Sequence, residues 1–385
     1  SLKKPSTSSA SKILQQALNN YAKFIESKKS HFGIGSIMFV LLLGGIPLIH
    51  IDDNFVDYFN TSSPFRIQTD RATELLSGPN HIEVLVSNAD DPAGVFSSNY
   101  LQTIDSLSQY IRDSAHVSNV HSFFDLMQQV ANAVAPNSDI QTASPAELAQ
   151  WFLVYELSLR RGQSNSDFVN RHQNESRISV LLGESSSREI QRLEADIFEW
   201  QKIHAPDLGV KVTGENIPVA HLSELNIKSL IVGLGGSIFL TFVLVAGVFR
   251  RLKLGIAALI SVLVPILCGF GVWGWTVGSI GLASTAIVAL TVGVVVDDAI
   301  HLVYRYLDGT TRLSLNPWQS SAYSIHRAGI AVTTTSIVMV GGLSVLLFSA
   351  FKVNSSFGAG TCLIIALALL FDLMVLPRIL VWADD

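Results

Sequence analysis

Two adjacent aspartates follow a long apolar stretch of this chain, where acidic side chains could move protons or other cations. Asp297 and Asp298 lie in the segment GVVVDDAIHLVYR at residues 293–305, and residues 254–296 carry no charge. An ionised aspartate at the centre of a membrane helix costs roughly 2.5–3.5 kcal/mol, so such residues usually face a bundle interior and mark an ion or proton path. Two like charges side by side resist joint ionisation. We therefore expect the pair to titrate as one coupled unit.

The spacing around the aspartates adds two further candidates. Gly293 lies four residues before Asp297, on the same face of a helix, where a small residue lets a neighbouring helix approach closely. His301 lies four residues after Asp297 and three after Asp298, so its ring can meet either carboxylate. We predict a packing role for Gly293 and a role in proton coupling for His301.

Hydroxyl groups and a third acid follow on later apolar segments. Residues 333–336 read TTTS, and any of these four hydroxyls could hydrogen-bond a carboxyl, provided that the two helices pack together. We take Thr334 as the proton-coupling candidate among them. Asp372 is a third acid in an apolar segment. The predicted proton-coupling residues are therefore Asp297, Asp298, His301, Thr334 and Asp372.

Purely structural roles for these residues stay open. The aspartate pair could form ion pairs with Arg305, and Asp372 could pair with Arg378. His301 could simply support the pair or face the lipid headgroups. The hydroxyl run could serve only as packing contacts between helices.

The segments that carry these residues are long enough to cross a bilayer, which takes about 20 apolar residues. Charged residues make up 15% of the 385 residues, against about 25% in soluble domains, and hydrophobic residues make up 49%. The sequence predicts a helical membrane bundle of six spans, at residues 31–51, 229–249, 254–275, 280–304, 328–351 and 356–381. Spans two to six then occupy residues 227–382.

Basic residues predict how the spans are oriented. Lysines and arginines concentrate in residues 1–30, directly after the second span and after the fourth span, and all three places lie on one side of the bundle. Because such residues mark the cytoplasmic side, we expect both ends of the chain to be cytoplasmic. Residues 52–226 then form one large external domain.

The external domain has the composition of a soluble α+β protein. Alternating and helical patterns predict strands at 81–88, 117–122, 177–182 and 210–213, and helices at 99–114, 145–160 and 187–204. This order, βαβ, a helical insertion and βαβ, is typical of a ferredoxin-like sandwich.

Several classes of function find no support in the sequence. There is no nucleophile elbow, zinc-binding helix or Walker A loop, so we do not expect an enzyme. Cys268 and Cys362 lie in apolar runs without metal-ligand spacing, and we expect no metal or cofactor. A net charge of -5 without a basic block argues against a nucleic-acid partner.

Several segments resemble a known family of transporters. The GxxxDD pattern, followed by Ala299, Ile300 and His301, resembles the predicted exporters of the RND superfamily, which are related to the MMPL lipid transporters and the sterol-sensing-domain proteins. Residues 326–336 (HRAGIAVTTTS) and 367–377 (LALLFDLMVLP) are similar to spans five and six of that family. Residues 51–59 (IDDNFVDYF) and 214–226 (GENIPVAHLSELN) are similar to the segments that flank its external, porter-type domain.

The resemblance implies export that is driven by the proton-motive force. A complete RND protein has twelve spans in two repeats, so we expect this chain to be the C-terminal six-helix repeat. Residues 12–29 carry apolar residues at helical spacing, which would suit the cytoplasmic connector between the repeats. The expected partners are membrane lipids, a hydrophobic substrate, the N-terminal repeat or a second copy of the chain, and a periplasmic protein. The resemblance places the protein in an inner membrane.

Three rival functions remain open at this point. Carboxylates and hydroxyls also ligate Na⁺, so the transporter could be sodium-coupled. The chain could be a non-transporting sterol-sensing or regulatory module, which would work without the two acids. It could also assist protein export, with the external domain holding a polypeptide.

Overall fold

A computed structural model describes residues 9–26, 32–51, 55–76, 78, 80–88, 91–136, 138–161, 164–183 and 185–384. In chain order the helices are α1 Ser9–Glu26, α2 Phe32–Leu43, α3 Pro64–Leu76, α4 Ser98–Arg112, α5 Phe123–Val134, α6 Pro145–Ser158, α7 Ser187–His204, α8 Asn216–Phe249, α9 Leu252–Thr276, α10 Leu282–Thr311, α11 Pro317–Leu343, α12 Lys352–Met374 and α13 Leu376–Asp384. The strands are β1 His50–Ile51, β2 Asn80–Ser87, β3 Val117–His121, β4 Glu175–Leu182, β5 Gly209–Thr213 and β6 Ser279–Ile280. The chain forms two compact units, a membrane unit (Ser1–Ile51 with Leu225–Asp385) and a sheet unit (Asp52–Glu224).

Five helices in the described part of the chain, α8 to α12, are long and apolar enough to cross a membrane. The protein is therefore a multi-pass membrane protein. The predicted first span, at residues 31–51, differs from the other five, because α2 has only 12 residues and a short 3-10 turn at Ile46–Leu48 follows it. Two glycines, Gly44 and Gly45, precede that turn and Pro47 lies in it, and both residue types interrupt a helix. Residue 31, where this span is predicted to begin, lies outside the described residues.

Glycine lets the end of α2 approach α9 at backbone distance. A Cβ atom added to Gly45 would lie 1.8 Å from the carbonyl oxygen of Gly271, and one added to Gly271 would lie 1.9 Å from that of Leu42. No other residue fits at such a crossing. Beyond it, β1 pairs in parallel with β6, which ties the segment after α2 to the loop between α9 and α10.

Helices α9 to α13 pack around a shared apolar core. α10 packs against α9, α11 and α12, and α13 packs against α9 and α11. The core side chains at one end include Leu254 of α9, Tyr306 of α10, Val332 of α11 and Leu376 of α13. The predicted sixth span is two helices, because Pro377 has no N–H to continue α12.

α1 is amphipathic and lies along α11. Its buried residues Leu18, Ala22 and Ile25 pack against Ala322 and Ile325 of α11. Residues 1–8 and 27–30 of the predicted N-terminal segment lie outside the described residues.

The sheet unit has one four-stranded sheet. The strand order is β3-β4-β2-β5, and all neighbouring strands are antiparallel. Buried residues alternate along β2 and β4, as in strands with one face on a core. α4 follows β2 and α7 follows β4, and both contribute buried aliphatic residues to that core. The predicted strands and helices of this unit agree with the observed ones to within two residues at each end, but α3 and α5 were not predicted.

Candidate functional site

α10 places its two aspartates in different environments. The side chain of Asp297 is 73% exposed, whereas Asp298 is 6% exposed and lies in the bundle. Consecutive residues of an α-helix are rotated by roughly 100°, so one of them can face the interior while the next faces outward. The two acids are adjacent in sequence but do not share one buried site.

Asp298 contacts α11 through a hydroxyl group. The Oγ atom of Ser336 donates a hydrogen bond to Oδ2 of Asp298, over 3.3 Å. Ser336 is itself buried, and so is Ala299, the residue that follows Asp298. Ser336 belongs to the predicted hydroxyl run, so a hydroxyl of that run does hydrogen-bond a carboxyl.

The hydroxyls next to Ser336 have different partners. Thr334 is exposed and lines a groove between α10 and α11. The Oγ1 atom of Thr335 donates to carbonyls of its own helix, at Ala331 and Val332. Thr333 is buried, and its hydroxyl has no hydrogen-bond partner among the described residues. Residues 333 and 336 thus share the inward face of α11, whereas Thr334 faces the groove beside Asp298, and its role in proton coupling stays a prediction.

Asp372 is the most deeply buried acid of the site. Its side chain on α12 is 0% exposed, and neither carboxylate oxygen has a hydrogen-bond partner in the described part of the chain. Its helix packs against α10, which carries Asp298. A buried, unpaired carboxylate is costly in free energy. A proton or a bound cation would remove that cost.

Asp297 and His301 lie on the outward face of α10. Nε2 of His301 is 3.6 Å from Oδ1 of Asp297, too far for a hydrogen bond, and the His301 side chain is 63% exposed. His301 therefore accompanies Asp297, and it lies outside the buried site at Asp298.

An open groove of about 600 Å³ between α10 and α11 leads from this outward face to Asp298. Its lining residues are Gly293, Val294, Asp297, Asp298, Thr334, Thr335, Val338 and Met339. Gly293 is not at a helix contact, because a Cβ atom added there would meet no atom within 4 Å. Among the described residues no helix makes the predicted close approach at Gly293, whose face of α10 borders the groove.

The proposed ion-pair partners of the acids lie elsewhere. Nη1 of Arg305 is 3.9 Å from Oδ2 of Asp308, one turn further along α10. Arg378 is exposed, and Asp372 makes no salt bridge within the described residues. No group of three or more His, Cys, Asp or Glu side chains in the described ranges could hold a metal ion.

A comparison with family models relates these helices to known proteins. The model described as the MMPL family matches residues 66–383. The match covers most of the chain, and it includes α10, α11 and α12 with all the candidate residues. A search of curated proteins gave no match.

Proposed function

Because the chain belongs to the MMPL family of RND-type transporters, we propose that it exports a hydrophobic or lipid-like substrate and that protons drive this export. One observation carries the proposal for proton coupling. Asp298 and Asp372 are both buried, and they lie on helices α10 and α12, which pack against each other. Acids in such a setting are a typical device for moving protons through a membrane protein.

The proposed cycle begins when a proton reaches Asp298 through the groove between α10 and α11. Protonation removes the repulsion between Asp298 and Asp372. The Ser336 hydroxyl, which donates to the ionised carboxylate, can then accept a hydrogen bond from the protonated one. The three helices can repack, and release of the proton to the cytoplasm resets the site. One charge that crosses 100 mV supplies about 2.3 kcal/mol.

The proposal extends to the arrangement of the whole protein. The residues after Phe32 would complete a sixth span, with both chain ends in the cytoplasm of an inner membrane. The strand order β3-β4-β2-β5, with helices after β2 and β4, supports a ferredoxin-like domain on the periplasmic side. An N-terminal repeat or a second copy of the chain would complete the transporter, and a periplasmic protein could receive the substrate.

Sodium coupling is the second candidate, and the buried hydroxyl of Thr333 favours it. That hydroxyl has no partner among the described residues, and it shares the inward face of α11 with Ser336. Two carboxylates and two hydroxyls are ligands that suit a hard cation. Liposomes with only a sodium gradient and liposomes with only a proton gradient separate the two functions, since each predicts transport in one preparation.

The test of the export function compares lipids in separated inner and outer membranes of host cells. The cells carry the full-length protein or the variant with Asp298→Asn and Asp372→Asn, at matched expression. We expect one lipid class to accumulate in the inner membrane of the variant, while Asp297→Asn, the matched control, resembles the parent. Identical lipid profiles in all three strains would refute the export of a lipid by this site.

A further inference from the structure

α1 contacts the backbone of α12 directly beside Asp372. The hydroxyl of Tyr21 donates a hydrogen bond to the carbonyl oxygen of Leu373, over 2.7 Å. α1 itself is held against α11 by Leu18, Ala22 and Ile25. A side chain from outside the group of five spans therefore bonds to the residue next to a buried acid.

The carbonyl of Leu373 needs this donor because of Pro377. In an α-helix, the carbonyl of residue 373 accepts from the N–H of residue 377, and proline has no N–H. The carbonyl oxygen of Pro377 also accepts a hydrogen bond from a neighbouring helix, because Oγ of Ser321 on α11 donates to it over 3.1 Å. The break between α12 and α13 is thus held by hydroxyl groups from α1 and α11, as is common where proline interrupts a membrane helix.

Tyr21 is suited to act as a permanent donor. A tyrosine hydroxyl keeps its proton at physiological pH, and burial raises the pKa of Tyr21 further, to about 12. Its helix is fixed by a polar contact as well, because Nδ1 of His326 on α11 lies 2.5 Å from Oδ1 of Asn19. Since an amide oxygen can only accept, His326 donates in this contact.

We propose that Tyr21 is a positioning residue, which fixes the last turn of α12 and thereby sets how Asp372 faces Asp298. This inference rests on the proposed role of Asp372 as a proton-coupling group. Through Tyr21, the amphipathic α1 stabilises the position of Asp372. A looser last turn would let the carboxylate of Asp372 move and admit water beside it, which stabilises its charged form.

The helices packed against α12 carry further ionisable groups. On α10, Asp298 is buried, whereas Asp297 and His301 are exposed. Cys268 of α9 donates its thiol to the carbonyl of Phe39, and His326 of α11 is engaged with Asn19. Arg378 of α13 is exposed. A change at Tyr21 therefore reaches Asp372 through the backbone and replaces no charge.

The test is an infrared pH titration of the full-length protein in liposomes. The carboxyl stretch of Asp372 is assigned as the band that is lost in Asp372→Asn. We expect Tyr21→Phe, which removes one oxygen atom and keeps the ring, to move the midpoint of that band to lower pH by about half a unit or more. Tyr304→Phe, at an exposed tyrosine of α10, is the matched control and leaves the midpoint unchanged.

A second variant tests the stated cause. Pro377→Ala supplies an N–H to the carbonyl of Leu373, so Tyr21→Phe is expected to have little effect on the midpoint in that background. An unchanged midpoint in Tyr21→Phe, or an equal shift with and without Pro377, would overturn the inference and leave the proton-coupled function standing. A wild-type protein without any titrating Asp372 band would instead remove Asp372 from proton coupling and, with it, the positioning role of Tyr21.

Discussion

Asp298 of α10 and Asp372 of α12 are both buried, on two helices that pack against each other. The acid next to Asp298 in sequence, Asp297, lies on the exposed face of α10 with His301. The proposed pair of proton-coupling acids therefore comes from two helices. The sequence alone does not distinguish Asp297 from Asp298, but substitutions at the two positions should differ in their effect on transport.

Ser336 should matter more than another buried serine of α11. Ser336→Ala removes the hydrogen bond to Asp298, and a bond to a charged group contributes roughly 1.5–3 kcal/mol, which corresponds to about a tenfold or larger change. We expect at least that loss in the export rate, measured as lipid transfer from host membranes. Ser324→Ala is the control, because this buried serine of α11 donates to its own helix, at the carbonyl of Ser321. Equal losses in the two variants would contradict the geometry described above.

Two glycines of the membrane unit should respond in opposite ways to alanine. Gly271→Ala places a Cβ atom 1.9 Å from the carbonyl oxygen of Leu42, and overpacking of this kind costs about 1–3 kcal/mol. Gly293→Ala meets open space and should be neutral or slightly stabilising, because alanine favours a helix. The check is the temperature at which the purified full-length protein loses its monodisperse elution peak. A large loss at Gly293 would mean that a further helix packs there.

The cap of α6 should make the sheet unit sensitive to acid. The hydroxyl and amide of Ser144 donate to the Glu147 carboxylate, which lowers the pKa of Glu147. Because its pKa is lower in the folded state, this acid stabilises the helix end above its ordinary pKa of 4.5, and the contribution is lost as the pH falls through the folded value.

Ser144→Ala should weaken the start of α6 by about 1 kcal/mol at neutral pH. The measurement is the hydrogen-exchange protection of the first amides of α6, corrected for intrinsic rates, in parent and variant. The difference in protection should shrink below pH 4.5. A difference that does not depend on pH would show that Glu147 takes no part in the cap.

Much of the fold could be read from the sequence, because its signals are local. Uncharged windows of sufficient length identified α8 to α12, and alternation identified β2 and β4. α5 was not predicted, although its start carries a capping box formed by Ser122 and Asp125. The glycine pair and Pro47 were equally visible as signals that end a helix, and they limit α2 to 12 residues.

Sequence patterns indicated the candidate residues but not how they are arranged. The run AIVALTVGVVV before the aspartates carries no charge on any side of α10, so it does not show which aspartate points into the bundle. Adjacency in sequence therefore suggested a pair of Asp297 and Asp298, whereas in the packed bundle the buried acids are Asp298 and Asp372. The choice among residues 333–336 depends on the same rotation of a helix. Only the packing of the helices shows which of these hydroxyls points into the bundle.

The most direct test of proton coupling uses the full-length protein in liposomes made from the host's own lipids, with an enclosed pH-sensitive dye. A pH gradient is imposed, and the proton flux through the protein is followed. We predict that Asp298→Asn and Asp372→Asn each abolish this flux, and that Asp297→Asn retains most of it. A flux that persists without Asp298 or Asp372, or that is lost equally in Asp297→Asn, would contradict a proton site formed by the two buried acids.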